Sequence, residues 1–276
     1  MTRRAALASA ASLCLGTLLL PVALSSHSDE PIARPSGSER GLYRVLVFSR
    51  TAEYRHDSIP DAVAALAALG AEHELSIDAT EDPSIFDDPL LTPYRAVVFL
   101  LTTGNILEPG QQAAFERFMH AGGGYVGVHS ASDTEYDWPW YGELVGAYFS
   151  HHPDIQTATI YVEDVAHPST AGLPERWERT DEWYDFRSNP RGKVQVLARL
   201  DEASYTGGTM GADHPIAWWH TYDGGRAWYT AGGHTRESYR EPLFLQHLLG
   251  GIEYAAGRAS GTSDRISAAL EQRAQR

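Results

Sequence analysis

The chain alternates between short, wholly apolar runs and longer stretches with helical periodicity. Tyr43-Arg44-Val45-Leu46-Val47-Phe48 is the first apolar run and predicts a strand. A helix is expected next, capped by Ser58 with Pro60 in its first turn, with Val63, Leu66 and Leu69 on one side and Gly70 as its stop. Leu75-Ser76-Ile77 predicts a second strand, and Ala96 to Leu101 a third in which every side chain is apolar. Pro109 to His120 reads as an amphipathic helix through Ala113, Phe115, Phe118 and Met119. The stretch Gly122 to Asp133 then reads as a buried strand and a tight turn, with His129 where the strand stops. Strands apolar on both faces belong to a parallel sheet between helix layers, and strand–helix alternation is the doubly wound pattern.

The second half has a different rhythm. Ile155 to Val162 and Val194 to Leu200 alternate, and Pro215 to His220 is expected to pair with Arg226 to Thr230 across the turn Asp223-Gly224-Gly225. Glu241 to Ala256 predicts a closing helix, with Leu243, Phe244, His247 and Leu248 on one side. There is no internal repeat and no block of like charge.

Four polar clusters follow apolar strands: Arg55-His56-Asp57, Thr102 to Asn105, His129-Ser130, and His234 to Glu237. If their strands are parallel neighbours, all four converge at the carboxyl end of the sheet, where open α/β sheets bind ligands. His129 is the foremost candidate. Gly127-Val128-His129-Ser130-Ala131 has the outline of a nucleophile elbow with histidine at the nucleophile position, and Ser130 sits one position late. Histidine there suits proton transfer or metal ligation rather than serine hydrolysis. His129, His234 and Glu182 are therefore the candidate catalytic residues.

Twelve histidines offer further ligands, although His-Glu-x-x-His is absent. His56, His129 and His234 form the candidate set for a divalent metal such as zinc, with His152, His214 and His220 as further donors on separate loops. His167-Pro168 is expected to form a turn. Asp181 to Phe186 mixes acids with aromatic rings, and Trp138, Trp140, Tyr141, Trp218 and Trp219 add more. Aromatic faces beside carboxylates suit a sugar, so His56, Tyr184, Asp133 and Trp218 are the candidate substrate-binding residues. Core packing competes with that reading for most of the tryptophans.

Length and charge narrow the partners. The 276 residues have room for one large domain or two small ones, and a formal net charge of -14 argues against nucleic acid or an anionic membrane surface. Arg3 and Arg4, the apolar run Ala5 to Leu24, and small residues at Ala23-Leu24-Ser25 predict a cleaved secretory signal, hence a secreted or periplasmic protein without stable membrane insertion. An uncleaved anchor is the competing reading. The single Cys14 lies inside this segment, which leaves the exported chain no thiol chemistry and no disulfide.

Gly127 to Ala131, Trp138-Pro139-Trp140-Tyr141, Asp181 to Tyr184, Asp213 to Trp218 and Gly232-Gly233-His234-Thr235 together resemble the ThuA-like (trehalose utilisation) family. The resemblance implies a three-layer, flavodoxin-like α/β sandwich similar to class I glutamine amidotransferases, with a mostly parallel central sheet and an added β-hairpin. It places one domain over 43–257; the residues around it read as a signal peptide 1–26, a linker 27–42 and a polar tail 258–276. It also implies disaccharide metabolism, with 3-keto sugars as substrates; a carbonyl at C3 acidifies the neighbouring C–H, so a histidine base can start isomerisation or elimination, with hydrolysis as a further outcome. Amidotransferase chemistry does not carry over, because His129 stands where that superfamily has its cysteine. A non-catalytic sugar-binding module and a hydrolase of unoxidised glycosides are the alternatives.

Overall fold

The computed structural model describes residues 42–258; the expected export signal, residues 27–41 of the linker and the tail from 259 onward lie outside the described residues. The chain runs β1 (Tyr43–Phe48), α1 (Ile59–Glu72), β2 (Leu75–Thr80), α2 (Asp88–Leu91), β3 (Tyr94–Leu100), α3 (Pro109–His120), β4 (Gly124–Val128), α4 (Pro139–Val145) and β5 (Phe149–His151). It continues with β6 (Gln156–Val162), β7 (Arg176–Asp181), β8 (Asp185–Phe186), β9 (Gln195–Asp201), β10 (His214–Tyr222), β11 (Gly225–Thr230) and α5 (Pro242–Ala255).

Nine strands form one mixed sheet in the order β2-β1-β3-β4-β11-β10-β9-β6-β7, and β5 pairs with β8 in a separate two-stranded sheet. The pairs β2-β1, β1-β3, β3-β4 and β4-β11 are parallel. Beyond β11 every pair is antiparallel. The apolar runs read from sequence are thus the parallel half, where Val45, Val47, Val97, Val98, Phe99 and Val126 are completely buried. The antiparallel half is larger than the single hairpin expected, because β9, β6 and β7 extend it.

Strand direction explains where that extension delivers its residues. Four successive antiparallel pairings return β7 to the direction of β11, so the carboxyl ends of β1, β3, β4, β11 and β7 all face one rim. In a flat sheet β7 would lie about 19 Å from β11, four strand spacings away. Yet Asp181 at the end of β7 accepts hydrogen bonds from the amides of Gly233 (2.8 Å) and His234 (3.1 Å), just past β11. The antiparallel half therefore curls over the rim and closes its far edge against the loop after β11.

Two local expectations change. Gly70 does not stop α1, which continues to Glu72; a Cβ on Gly70 would come 2.7 Å from the Leu75 carbonyl oxygen, so this glycine permits close packing against β2. Ser58 occupies the N-cap position of α1, but its hydroxyl makes no capping bond and is buried without a hydrogen-bond partner. Among the described residues no helix is long and apolar enough to cross a membrane.

Candidate functional site

Three histidines reach one point from three parallel strands. His56 follows β1 and precedes α1, in a loop tied to the end of β3 by the Ala52 amide on the Thr103 carbonyl (2.8 Å) and the Thr103 hydroxyl on the Tyr54 carbonyl (2.8 Å). The Thr102 to Asn105 cluster thus supports the His56 loop through Thr103. His129 is the first residue after β4 and takes a left-handed backbone, φ 52°, at a cost of about 1–2 kcal/mol for a residue with a Cβ. Such strain persists where the surroundings hold it and is a pointer to function. His234 follows β11 through Gly233, whose φ of 110° and close approach to Tyr239 exclude a side chain.

The parallel register pairs Thr230 with Val128 and so brings Ala231 beside His129. The Ala231 carbonyl accepts a 2.7 Å hydrogen bond from His129 Nδ1. A carbonyl only accepts, so Nδ1 carries a proton, and Nε2 points at His234 and Glu182. The three rings meet edge to face, with centroids 5.0 Å (His56–His129), 5.0 Å (His56–His234) and 5.1 Å (His129–His234) apart.

Glu182 completes the group from the end of β7. Its Oε2 lies 3.3 Å from His129 Nε2 and 3.0 Å from His234 Nδ1, and its Oε1 lies 3.2 Å from His152 Nδ1. Burial alone would raise its pKa, but the hydrogen bonds and charges of His129 and His234 outweigh burial and hold the carboxyl well below the usual range. For His234 burial favours the neutral ring, and Glu182 reverses this and raises its pKa. His56 is pushed down to about 2 by burial and by the neighbouring His129 and His234, so it stays neutral.

One donor atom from each of His56, His129, Glu182 and His234 lies within 4.8 Å of the others. Three imidazoles and one carboxylate fit a first-row divalent cation, zinc above all. The His129–Ala231 bond is the outer-shell contact that fixes a metal-binding tautomer.

Behind the group, Asp181 fixes two of its members. Besides the amides of Gly233 and His234, it accepts from the Ser238 hydroxyl (3.1 Å) and pairs with Arg179 (3.3 Å). Arg179 also donates to Glu241 (2.7 Å) and lies over the Phe244 ring (4.3 Å). This buried network clamps the end of β7 to the loop carrying His234.

A cleft of about 370 Å³ opens over the group, lined by His56, Glu182, His234 and Asp133 together with Tyr54, Phe149, His152 and Tyr184. The Tyr184 ring lies 4.1 Å from that of His129 and 4.2 Å from that of Phe149. Asp133 accepts a short hydrogen bond from the Tyr136 hydroxyl, and burial raises its pKa. His56, Asp133, Glu182, Tyr184 and His234 therefore share one cleft, with His129 at its floor.

Trp218 does not belong to it. Its side chain is completely buried, its indole N–H donates to the Val145 carbonyl (2.9 Å), and it stacks on Tyr229, so it is a core residue. His220 donates to the Leu144 carbonyl (2.8 Å) and His214 belongs to another cluster, so neither joins the group. His167 does close a turn, its carbonyl accepting from the amides of Thr170 and Ala171. Tyr54 and Phe149 are cleft residues that the sequence reading does not single out. Tyr54 is 63% exposed at the mouth, its ring edge-on to His56, and its place two residues before His56 is the signal that could have found it.

Fold and site together define an α/β protein with a histidine-rich ligand cleft at the carboxyl rim of its sheet. The chain belongs to the ThuA family, described as trehalose utilisation, whose sequence profile matches residues 44–255. The fold is similar to that of a ThuA-like protein from Bacteroides uniformis ATCC 8492, with a TM-score of 0.68 and 23% identity over 80% of this chain and 95% of the other. A ThuA-like protein from Parabacteroides merdae ATCC 43184 gives 0.65 and 20% identity, covering 78% of this chain and 90% of the other. A β-galactosidase from Bacillus circulans sp. alkalophilus gives 0.52 and 16% identity, over 78% of this chain and 31% of the enzyme. No curated protein matches the sequence significantly.

Proposed function

We propose that this is an exported, metal-dependent enzyme acting on a keto-glycoside or keto-disaccharide. The observation that carries the proposal is the convergence of His56, His129, Glu182 and His234, each with a donor atom within 4.8 Å of the rest, beneath an aromatic cleft. Membership of a family described as trehalose utilisation points to the carbohydrate class. The cleft volume of about 370 Å³ lies in the range of small-molecule sites. On the same reading, the parallel half of the sheet is the core of a three-layer, flavodoxin-like arrangement.

A divalent cation bound there would polarise the sugar's carbonyl oxygen. Outside the ligand set, Asp133 and His152 are the carboxylate and the imidazole that line the cleft, and they are assigned to proton transfer. A base removes the proton from the carbon between the carbonyl and the anomeric carbon. The released electron pair forms a carbon–carbon double bond as the glycosidic C–O bond breaks, and the departing oxygen takes a proton from the acid. Tyr184, Phe149 and Tyr54 offer apolar faces to the ring.

Hydrolysis of unoxidised glycosides by a carboxylate pair fits less well. Both oxygens of Glu182, the other carboxylate lining the cleft, are held by imidazoles, so Asp133 has no free carboxylate to pair with. The test is turnover of keto-trehalose and keto-glucosides with and without chelator, beside unoxidised disaccharides. Loss of turnover on chelation and in His129→Ala supports the proposal; full turnover by His129→Ala refutes it.

A further inference from the structure

A second cluster of donors lies behind the cleft wall. Asp185 on β8, Glu202 after β9 and His214 at the start of β10 each place one donor atom within 4.8 Å of the other two. Asp185 and His214 are completely buried. The His214 Nε2 meets the Tyr184 carbonyl at 2.9 Å and therefore carries the proton. Its Nδ1 faces a Glu202 oxygen at 2.9 Å and the Tyr205 hydroxyl at 3.1 Å.

Consecutive backbone amides orient the two carboxylates. The Thr209 amide donates to Asp185 Oδ1 (2.6 Å), as does the Thr209 hydroxyl (2.7 Å), and the Met210 amide donates to Glu202 (2.7 Å). The other Asp185 oxygen, Oδ2, is buried with no hydrogen-bond partner. An imidazolium at His214 would balance one carboxylate and leave the second negative charge buried with a bare oxygen, which is costly. A neutral imidazole with a divalent cation balances both carboxylates and gives the bare oxygen a ligand.

We propose that Asp185, Glu202 and His214 form a second divalent-cation site, of the zinc class given its imidazole and carboxylate donors. Its role is structural. His214 holds the Tyr184 carbonyl, and the Tyr184 ring packs on His129. A cation there would lock residues 182–186 to the segment 202–214 and so stiffen the wall of the cleft.

The site is tested independently of the first centre. The full chain and a His129→Asn/His234→Asn variant are stripped with chelator, loaded with ZnCl2, dialysed and analysed for zinc and for thermal midpoint. The double variant is expected to hold one zinc per chain, with a midpoint several degrees above its stripped form. Adding Asp185→Asn, or separately Glu202→Gln, is expected to remove both the zinc and the shift while the circular dichroism spectrum is kept. A double variant with no bound zinc, or unchanged zinc after both additions, overturns the proposal. Failure of the first centre reads differently: His129→Asn/His234→Asn then leaves the zinc content of the chain unaltered.

Discussion

The Nδ1 of His129 donates 2.7 Å to the carbonyl of Ala231, the residue just past the neighbouring strand β11. This one bond sets the ring's tautomer and directs Nε2 at His234 and Glu182, so sheet register and donor geometry are a single fact. It depends on β4 and β11 being parallel and adjacent, although 102 positions separate the two residues.

His129→Asn follows from that bond and from the left-handed backbone, which asparagine tolerates better than most residues. The variant is expected to keep its fold, lose the metal of the first centre and lose activity by about 10²-fold or more. Circular dichroism, zinc analysis and kcat/KM on a keto-glycoside check it together. A variant that keeps its metal would show that Nε2 is not a ligand.

Asp181→Asn reaches the site only through other residues. It leaves Arg179 with one carboxylate fewer and weakens the hold on the Gly233 and His234 amides. Removing one partner of a buried pair is expected to cost on the order of 3 kcal/mol. Urea denaturation reads that loss, and a stability within 0.5 kcal/mol (about the scatter of ordinary surface substitutions) would contradict the clamp.

Two histidines away from the cleft make the fold acid-sensitive. Burial pushes His167 down to about 4 and His247 down to about 3. The folded state keeps both rings neutral, whereas the unfolded chain takes up protons below about pH 6.5. Stability is therefore expected to fall as pH drops from about 6.5 towards 4, each histidine contributing up to about 1.4 kcal/mol per pH unit. His247→Gln should flatten the dependence of the thermal midpoint on pH between 7 and 5. An unchanged slope would remove His247 from the account.

Trp218→Phe separates core from cleft. It strips the Val145 carbonyl of its donor in a sealed environment, which is expected to cost about 1–3 kcal/mol. KM for the sugar should stay as it is. A raised KM at unchanged stability would return Trp218 to the binding site.

The parallel half of this fold was legible because apolar runs such as Ala96 to Leu101 mark strands buried on both faces. Parallel order then sends His56, His129 and His234 to one rim. Glu182 stood out by its aromatic company, but the strand delivering it did not. Along β7 the inward positions are Trp177, Arg179 and Asp181, and two charges on the buried side conceal the alternation. The closure of β7 onto the loop after β11 is a tertiary event with no local signature. The tryptophans misled for a related reason: indole is equally at home in a core and on a sugar, and only the Val145 contact decides for Trp218. Asp185, Glu202 and His214 are invisible as a group in the sequence because β8, the turn after β9 and the start of β10 meet only in the folded chain, at no regular spacing.

On the reading proposed above, imidazoles following β1, β4 and β11 and the carboxylate after β7 hold one divalent ion. Crystals of the zinc-loaded protein measured on both sides of the zinc absorption edge address it directly. An anomalous peak is expected about 2.0–2.2 Å from nitrogens of His56, His129 and His234 and an oxygen of Glu182. Zinc-loaded crystals with no anomalous density among these four side chains would contradict it.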